Sequence, residues 1–119
     1  MPRLLWLLLR NRVRFLPKAR AARRAVESLL IQNGHSANHL WLELGPLDAD
    51  ELVLVVVFAD DTQLQRFLSS GLAMSVTSTY RRELLSRRYP PEAAERVQVC
   101  FDSDEHIDRV GMLGWLHGA

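Results

Sequence analysis

The sequence predicts an α+β domain, a three- or four-stranded sheet with helices packed on one face, in the order α-β-β-α-α-β-α. Apolar residues recur at helical spacing in several long segments, and they alternate or run unbroken in three short ones. At 119 residues, 48% of them hydrophobic, the chain suffices for one hydrophobic core and not for two. We therefore expect a single domain over residues 1–119, with a basic and apolar helical segment at 1–17 and a core at 18–119.

The N-terminal quarter of the chain is predicted to be helical. Residues 3–15 favour a helix that Pro17 ends or kinks, because proline has no backbone N–H to donate. Residues 18–33 carry apolar side chains at helical spacing, and Gly34 stops this second helix. The apolar run at 4–9 is too short for a secretory signal or a transmembrane helix. We expect no membrane span.

The next segment is predicted to be a β-hairpin. In residues 39–44 three leucines alternate with His39, Trp41 and Glu43, the pattern of a half-buried strand. A turn follows, and residues 52–59 then form an unbroken, valine-rich run typical of a central strand that is covered on both faces.

Two helices are predicted after the hairpin. Asp61 or Thr62 caps the first one, which is interrupted at residues 69–71 by two serines and a glycine. The second runs over residues 72–88, with apolar residues spaced by four along one side. The proline pair that follows ends this helix and opens one further helical turn.

A third strand and a last helix are predicted at the C-terminal end. Residues 97–102 alternate as a strand does, and Asp102 with Glu105 has the spacing of a capping box for a helix to about Val110. Residues 111–116 form either an edge strand or a docked tail. Because helices cover one sheet face, we expect the N-terminal helical segment, a second copy of the chain or another protein to cover the other.

The net charge of +1 conceals a segregation of charge along the chain. Residues 1–24 contain eight basic residues and no acidic one, whereas residues 25–65 contain seven acidic residues and no basic one. The near-zero sum argues against indiscriminate polyanion binding. The segregation favours recognition through a patterned surface.

No residue pattern predicts catalysis, a cofactor or a metal site. Cys100 is the only cysteine, which excludes an intramolecular disulfide and favours a cytoplasmic location, and its mid-strand position is typical of a packing residue. His35 and His39 flank a helix-to-strand junction, so they are not expected to converge on a metal ion. Neither a nucleophile elbow nor a phosphate-binding glycine loop occurs. We expect a non-enzymatic protein.

The acidic stretch predicts a surface that binds a basic protein partner. Its carboxylates fall at the two ends of the predicted hairpin, without a lysine or arginine nearby in sequence to neutralise them. Such a surface attracts a basic partner and accelerates association. The predicted partner-binding residues are Trp41, Glu43, Asp48, Asp50, Glu51, Asp60 and Asp61.

Two alternatives stay open at this point. The element order is broadly that of a type II KH domain, an RNA-binding fold, although the turn between the middle helices lacks the Gly-x-x-Gly motif. Under this alternative, phosphate groups contact the basic N-terminal residues Arg10, Arg12, Arg14, Lys18 and Arg20. A homodimeric structural module is the other alternative, suggested by the apolar second strand.

Part of the C-terminal half resembles a known family. The residues concerned are the run Tyr80-Arg81-Arg82-Glu83-Leu84-Leu85, the pair Tyr89-Pro90, the stretch 97–108 with its Phe-x-Ser-x-Glu junction, Gly111 and Trp115. They resemble small bacterial immunity proteins of contact-dependent growth inhibition and polymorphic-toxin systems, over about a third of the chain. The resemblance implies a cytoplasmic domain without catalytic residues that binds and blocks one cognate toxin, often a nuclease.

Overall fold

A computed structural model of the chain describes residues 2–45 and 49–116, with side chains for 13–45 and 49–110. These residues form five helices and a three-stranded mixed sheet, which confirms the predicted α+β class. The elements are α1 (Pro2–Gln32), β1 (His39–Leu44), β2 (Leu52–Phe58), α2 (Asp61–Ser69), α3 (Leu72–Ser86), α4 (Pro91–Arg96), β3 (Gln98–Ser103) and α5 (Asp104–Leu116).

The central strand of the sheet is β2, as its apolar sequence predicts. It pairs antiparallel with β1, where Val55 lies opposite Trp41, and parallel with β3, where Val55 lies opposite Cys100. A parallel pair needs a crossover connection, and here α2, α3 and α4 supply it. The outer edges of β1 and β3 remain without a neighbouring strand in the described part of the chain.

The hydrophobic core lies between one sheet face and the helices. Alternate residues of β2, from Leu52 to Phe58, join buried side chains of α1 and α3 in this core. The first helix contributes the small residues Ala19 and Ala22, which are completely buried and allow its backbone to approach the core closely. The hydroxyl of Tyr80, on α3, donates to the Ala19 carbonyl at 3.3 Å and ties the two helices together.

The other sheet face is shielded at its centre and open toward the hairpin turn. Val55 and Val57 are 2% and 0% exposed, whereas Val53 and Cys100 are half-buried and Glu43 and Gln98 are exposed. The first turn of α5 lies at one corner of this face, since His106 contacts Asp102 there.

The helix boundary or kink predicted at Pro17 is not a boundary in the structure, where α1 continues through this residue to Gln32. Side chains on both sides of Pro17 are held by the core. Phe15 packs against Tyr89 with ring centroids 5.3 Å apart, and Ala19 is completely buried. Tertiary packing of both flanking turns therefore outweighs the cost of the missing hydrogen bond.

Both predicted helix caps are wrong. The N-cap of α2 is Asp60, whose Oδ1 accepts the Gln63 N–H at 2.8 Å. At α5 the Ser103 hydroxyl, and not Asp102, accepts the His106 N–H, at 3.1 Å. The helix then runs on to Leu116, so residues 111–116 form neither an edge strand nor a separate tail.

Replacing Pro17 by alanine is expected to stabilise the protein. The alanine N–H can complete the helical hydrogen-bond ladder, and the proline defect in a helix interior costs up to about 3 kcal/mol. Urea unfolding followed by circular dichroism measures the gain. Ser28→Ala, at an exposed position of α1, is the control and should change stability by less than about 0.5 kcal/mol. A P17A variant no more stable than the wild type would contradict a helix that continues through residue 17.

Candidate functional site

The predicted acidic surface is divided into two separate groups. Asp50 and Glu51 precede β2, whereas Asp60 and Asp61 follow it. Because a strand rises about 3.3 Å per residue, the seven residues of β2 keep these groups roughly 20 Å apart. The structure therefore brings Glu43, Asp50 and Glu51 together at the hairpin-turn end and leaves Asp60 and Asp61 at the opposite end.

At the hairpin-turn end, one predicted carboxylate is already paired. Asp50 Oδ2 lies 2.8 Å from Arg96 Nη1. Glu43 and Glu51 are exposed, and neither forms an ion pair within the described residues. Asp48 lies outside the described residues. Two exposed carboxylates thus remain available here for a partner.

At the opposite end, the fold itself uses both predicted aspartates. Asp60 caps α2. Asp61 accepts the Ser103 hydroxyl with one oxygen, and its other oxygen lies 3.0 Å from Arg109 Nη2. These contacts hold the N-terminus of α2 against β3 and α5. A structural role explains both residues without a partner.

Further acidic residues extend this group into a polar network. Asp102 Oδ1 lies 2.8 Å from His106 Nδ1, and Asp104 Oδ2 lies 3.2 Å from His39 Nε2. Glu105 accepts the Asp61 backbone N–H at 2.9 Å. The Asp102–Asp108 run is the sequence signal for this network, but its partners come from α2 and from the start of β1, so spacing alone did not reveal it.

The charge of Asp61 is stabilised within this network. The Ser103 hydrogen bond, opposed by partial burial and aided by the Arg109 guanidinium, lowers the pKa of the Asp61 carboxyl below its ordinary value. The carboxylate is therefore ionised at neutral pH and binds its two partners there.

The single cysteine is not placed as a nucleophile. Burial raises the pKa of the Cys100 thiol, and the negative charge of Asp102 on the same strand raises it further. A reactive thiol requires the opposite, an electropositive environment. Within residues 13–45 and 49–110, no three His, Cys, Asp or Glu side chains gather to hold a metal ion.

A long groove separates α1 from the free edge of β1. Arg20, Arg23 and Glu27 line its helix side, and residues 40–44 line its strand side. We call this feature the α1–β1 groove. Its larger part, beside residues 40–44, has a volume of about 430 Å³, and the part near Glu27 has about 290 Å³. Arg23 and Leu40 line both parts, so the two parts adjoin each other.

The strand side of the groove presents backbone groups that point away from β2. Arg23 Nη1 donates to the Leu40 carbonyl at 3.1 Å, so this carbonyl points into the groove. In an antiparallel pair, the N–H and C=O of one residue point to the same side, and residues alternate between the two sides. Leu40 and Leu42 therefore turn both backbone groups outward. Gly45 fits this alternation because its N–H points toward the β2 side, where it donates to the Glu51 carbonyl at 3.0 Å.

Trp41 and Glu43 also line the groove. Trp41 is half-buried and stacks on His39, with ring centroids 5.7 Å apart. Both residues belong to the predicted partner-binding set, whereas Arg20 and Arg23 on the facing helix were not assigned to it. Sequence reasoning missed this pairing because α1 and β1 meet only through the tertiary fold.

Among the described side chains of α1, the basic residues Arg14, Lys18 and Arg20 do not form one surface. Lys18 Nζ donates to the Arg88 carbonyl at 3.1 Å, and the Arg14 guanidinium lies 5.4 Å from the Phe15 ring centroid. Arg20 lines the groove, about 200° around the helix from Lys18 by the geometry of 3.6 residues per turn. The side chains of Arg10 and Arg12 lie outside the described ones.

Compared with known proteins, the chain matches no family model, no curated protein and no solved structure. Among the helices that the structure describes, none has the combination of length and apolar character that crossing a membrane requires.

Replacing Asp61 by asparagine should reduce the acid sensitivity of folding. The pKa of Asp61 is lower in the folded than in the unfolded chain, so its ionised form adds stability above the unfolded value of about 4. That contribution disappears as the pH falls through the folded pKa. Urea unfolding between about pH 7 and about pH 2 should show D61N less stable than the wild type at neutral pH, with a smaller loss in acid.

The control for D61N is Asp108→Asn, which removes an exposed carboxylate of α5. It should leave the pH dependence of unfolding as in the wild type. Parallel curves for D61N and the wild type would contradict the stabilising role of the Asp61 contacts.

Cys100 is expected to react slowly with iodoacetamide at neutral pH in the folded protein. Because burial raises the pKa of its thiol, little thiolate is present. Mass spectrometry of the alkylated chain, with a urea-unfolded sample as the control, measures the difference. Equal rates in the two samples would show that this thiol is not protected by the fold.

Proposed function

We propose that the chain is a non-enzymatic protein-binding domain whose contact surface is the α1–β1 groove. The observation that supports this proposal is the free edge of β1, which lies beside a helix and carries Trp41 and an exposed Glu43. An uncovered strand edge offers unpaired backbone donors and acceptors, and natural proteins usually protect such an edge. Within the described residues, the Leu40 carbonyl has such a protecting contact, from Arg23.

The side chains beside this edge are suited to protein recognition. Tryptophan and arginine are the residue types most enriched among those that dominate binding energy, and the groove holds Trp41 with Arg20 and Arg23. Glu43 lines the same groove, and Glu51 is exposed at the hairpin-turn end nearby. The acidic contacts that we propose, Glu43 and Glu51, are therefore fewer than those in the set of seven residues that the sequence predicts.

We further propose that the partner is a toxin and that the chain is its immunity protein, acting in the bacterial cytoplasm. The resemblance described above for residues 80–108 supports this choice. An inhibitor of this kind works by covering a surface of the toxin, which requires affinity and stability but no catalytic group. A toxin with a basic surface would complement Glu43 and Glu51.

The proposal is tested by affinity capture of the full chain from its own cells after chemical cross-linking, followed by mass spectrometry. We expect one protein to be recovered with the wild type. Its recovery should fall at least about tenfold with Trp41→Ala, since loss of a central aromatic contact costs about 2 kcal/mol or more. Glu43→Lys should also reduce it. Thermal unfolding verifies that each variant is folded.

The matched controls are Met74→Ala and Glu92→Lys, two exposed positions on α3 and α4. Both should leave recovery at the wild-type level. Recovery that is indifferent to the Trp41 and Glu43 changes, or equally reduced in the controls, would overturn the proposed surface. Recovery of RNA that falls steeply with salt would favour the nucleic-acid alternative instead.

A further inference from the structure

We infer that the α1–β1 groove binds an extended segment of the partner as a fourth strand on β1, with acidic side chains of that segment facing Arg20 and Arg23. This inference rests on the proposed function and names the chemistry of the partner at the same surface. It follows from three features of the groove: the direction of the backbone groups, the space, and the charge.

The backbone groups are those that a strand requires. Leu40 and Leu42 both turn N–H and C=O into the groove, with the two residues one pleat apart. An added strand would pair with these four groups, which is the mode called β-augmentation. Main-chain hydrogen bonds then supply affinity for any extended chain, and side-chain contacts supply selectivity.

The groove is long enough for such a segment. It follows β1 beside residues 40–44 and continues beside residues 36–38. A strand paired with the six residues of β1 spans roughly 20 Å. Arg23 reaches across the groove to the Leu40 carbonyl, so this contact must break for a linear segment to enter.

The charge of the groove selects the segment. Arg20 and Arg23 lie nearly one helical turn apart on the helix side, and neither forms an ion pair with an acidic side chain in the described residues. Glu27 and Glu43 lie toward its two ends. Because strand side chains alternate between two faces, the best segment has acidic residues on the α1 side and apolar residues on the Trp41 side.

The same charges disfavour a second copy of this chain as the occupant. If two β1 strands paired edge to edge, each would bring its own α1 with Arg20 and Arg23 toward the other. Like charges placed across an interface oppose association. The groove therefore fits an acidic partner segment better than it fits itself.

In the free protein, the Arg23 side chain covers part of the free edge of β1. Its guanidinium donates a hydrogen bond to the Leu40 carbonyl, and an incoming strand needs this carbonyl as an acceptor. A carboxylate on the segment offers the guanidinium a stronger, charge-assisted partner and so releases the carbonyl. Acidic segments are favoured over neutral ones by this exchange.

The test is selection of random linear peptides, displayed on phage, against the purified full chain. We expect the selected peptides to alternate acidic and apolar residues and to lack proline in their centre. A synthetic peptide from this selection should slow amide hydrogen exchange at Leu40 and Leu42, measured by NMR. Arg23→Glu should weaken its binding at least about tenfold, because attraction becomes repulsion.

The matched control is Arg24→Glu, which makes the same charge change on an exposed neighbour of α1 and should leave peptide binding nearly unchanged. Selection of no peptide, selection of peptides without acidic residues, or unchanged exchange at Leu40 and Leu42 would each overturn strand addition. None of these results would contradict the proposed function, which is tested separately by protein capture with the Trp41→Ala variant. Conversely, peptide binding without a captured protein would leave the groove site standing and reject the proposed function.

Discussion

The close approach of α1 to the core is the constraint on which the rest of the structure depends. Two alanines, Ala19 and Ala22, are completely buried at this contact, and any larger side chain there would push the helix away. Their burial fixes the rotation of α1, and that rotation directs Arg20 and Arg23 along the edge of β1. The same contact keeps the helix continuous across Pro17. Core packing and the candidate site are thus set by one helix face.

The carboxylates at the two ends of β2 have different roles. At one end, Asp60 caps α2, and Asp61 binds Ser103 and Arg109. These contacts join the N-termini of α2 and α5 to the sheet. Such a fully partnered group stabilises the fold and has little capacity left for a ligand. At the hairpin-turn end Glu43 and Glu51 keep their charges exposed. Acidic composition alone does not distinguish these two uses.

The sequence allowed the strands to be predicted well because their signal is local. The alternation in β1 and the valine run of β2 give the observed bounds to within one residue. Pro17 and the two caps were mispredicted because their outcome depends on residues far away in sequence, such as Tyr89 beside Phe15. The α1–β1 groove was missed for the same reason. The spacing of apolar residues indicates which face of an element is buried, but it does not indicate which elements become neighbours in the fold.

The segregation of charge along the chain acquires a physical meaning once the fold is known. Arg20 and Arg23 come from the basic N-terminal segment and Glu43 from the acidic stretch, and these three residues line one groove. Arg20 and Arg23 form its helix side while Glu27 and Glu43 lie toward its ends, so the surface is patterned rather than uniformly charged. A patterned surface discriminates between partners by the position of their charges. A uniform one of either sign would attract every oppositely charged polymer. The nearly neutral sum of the sequence is thus compatible with selective electrostatic recognition.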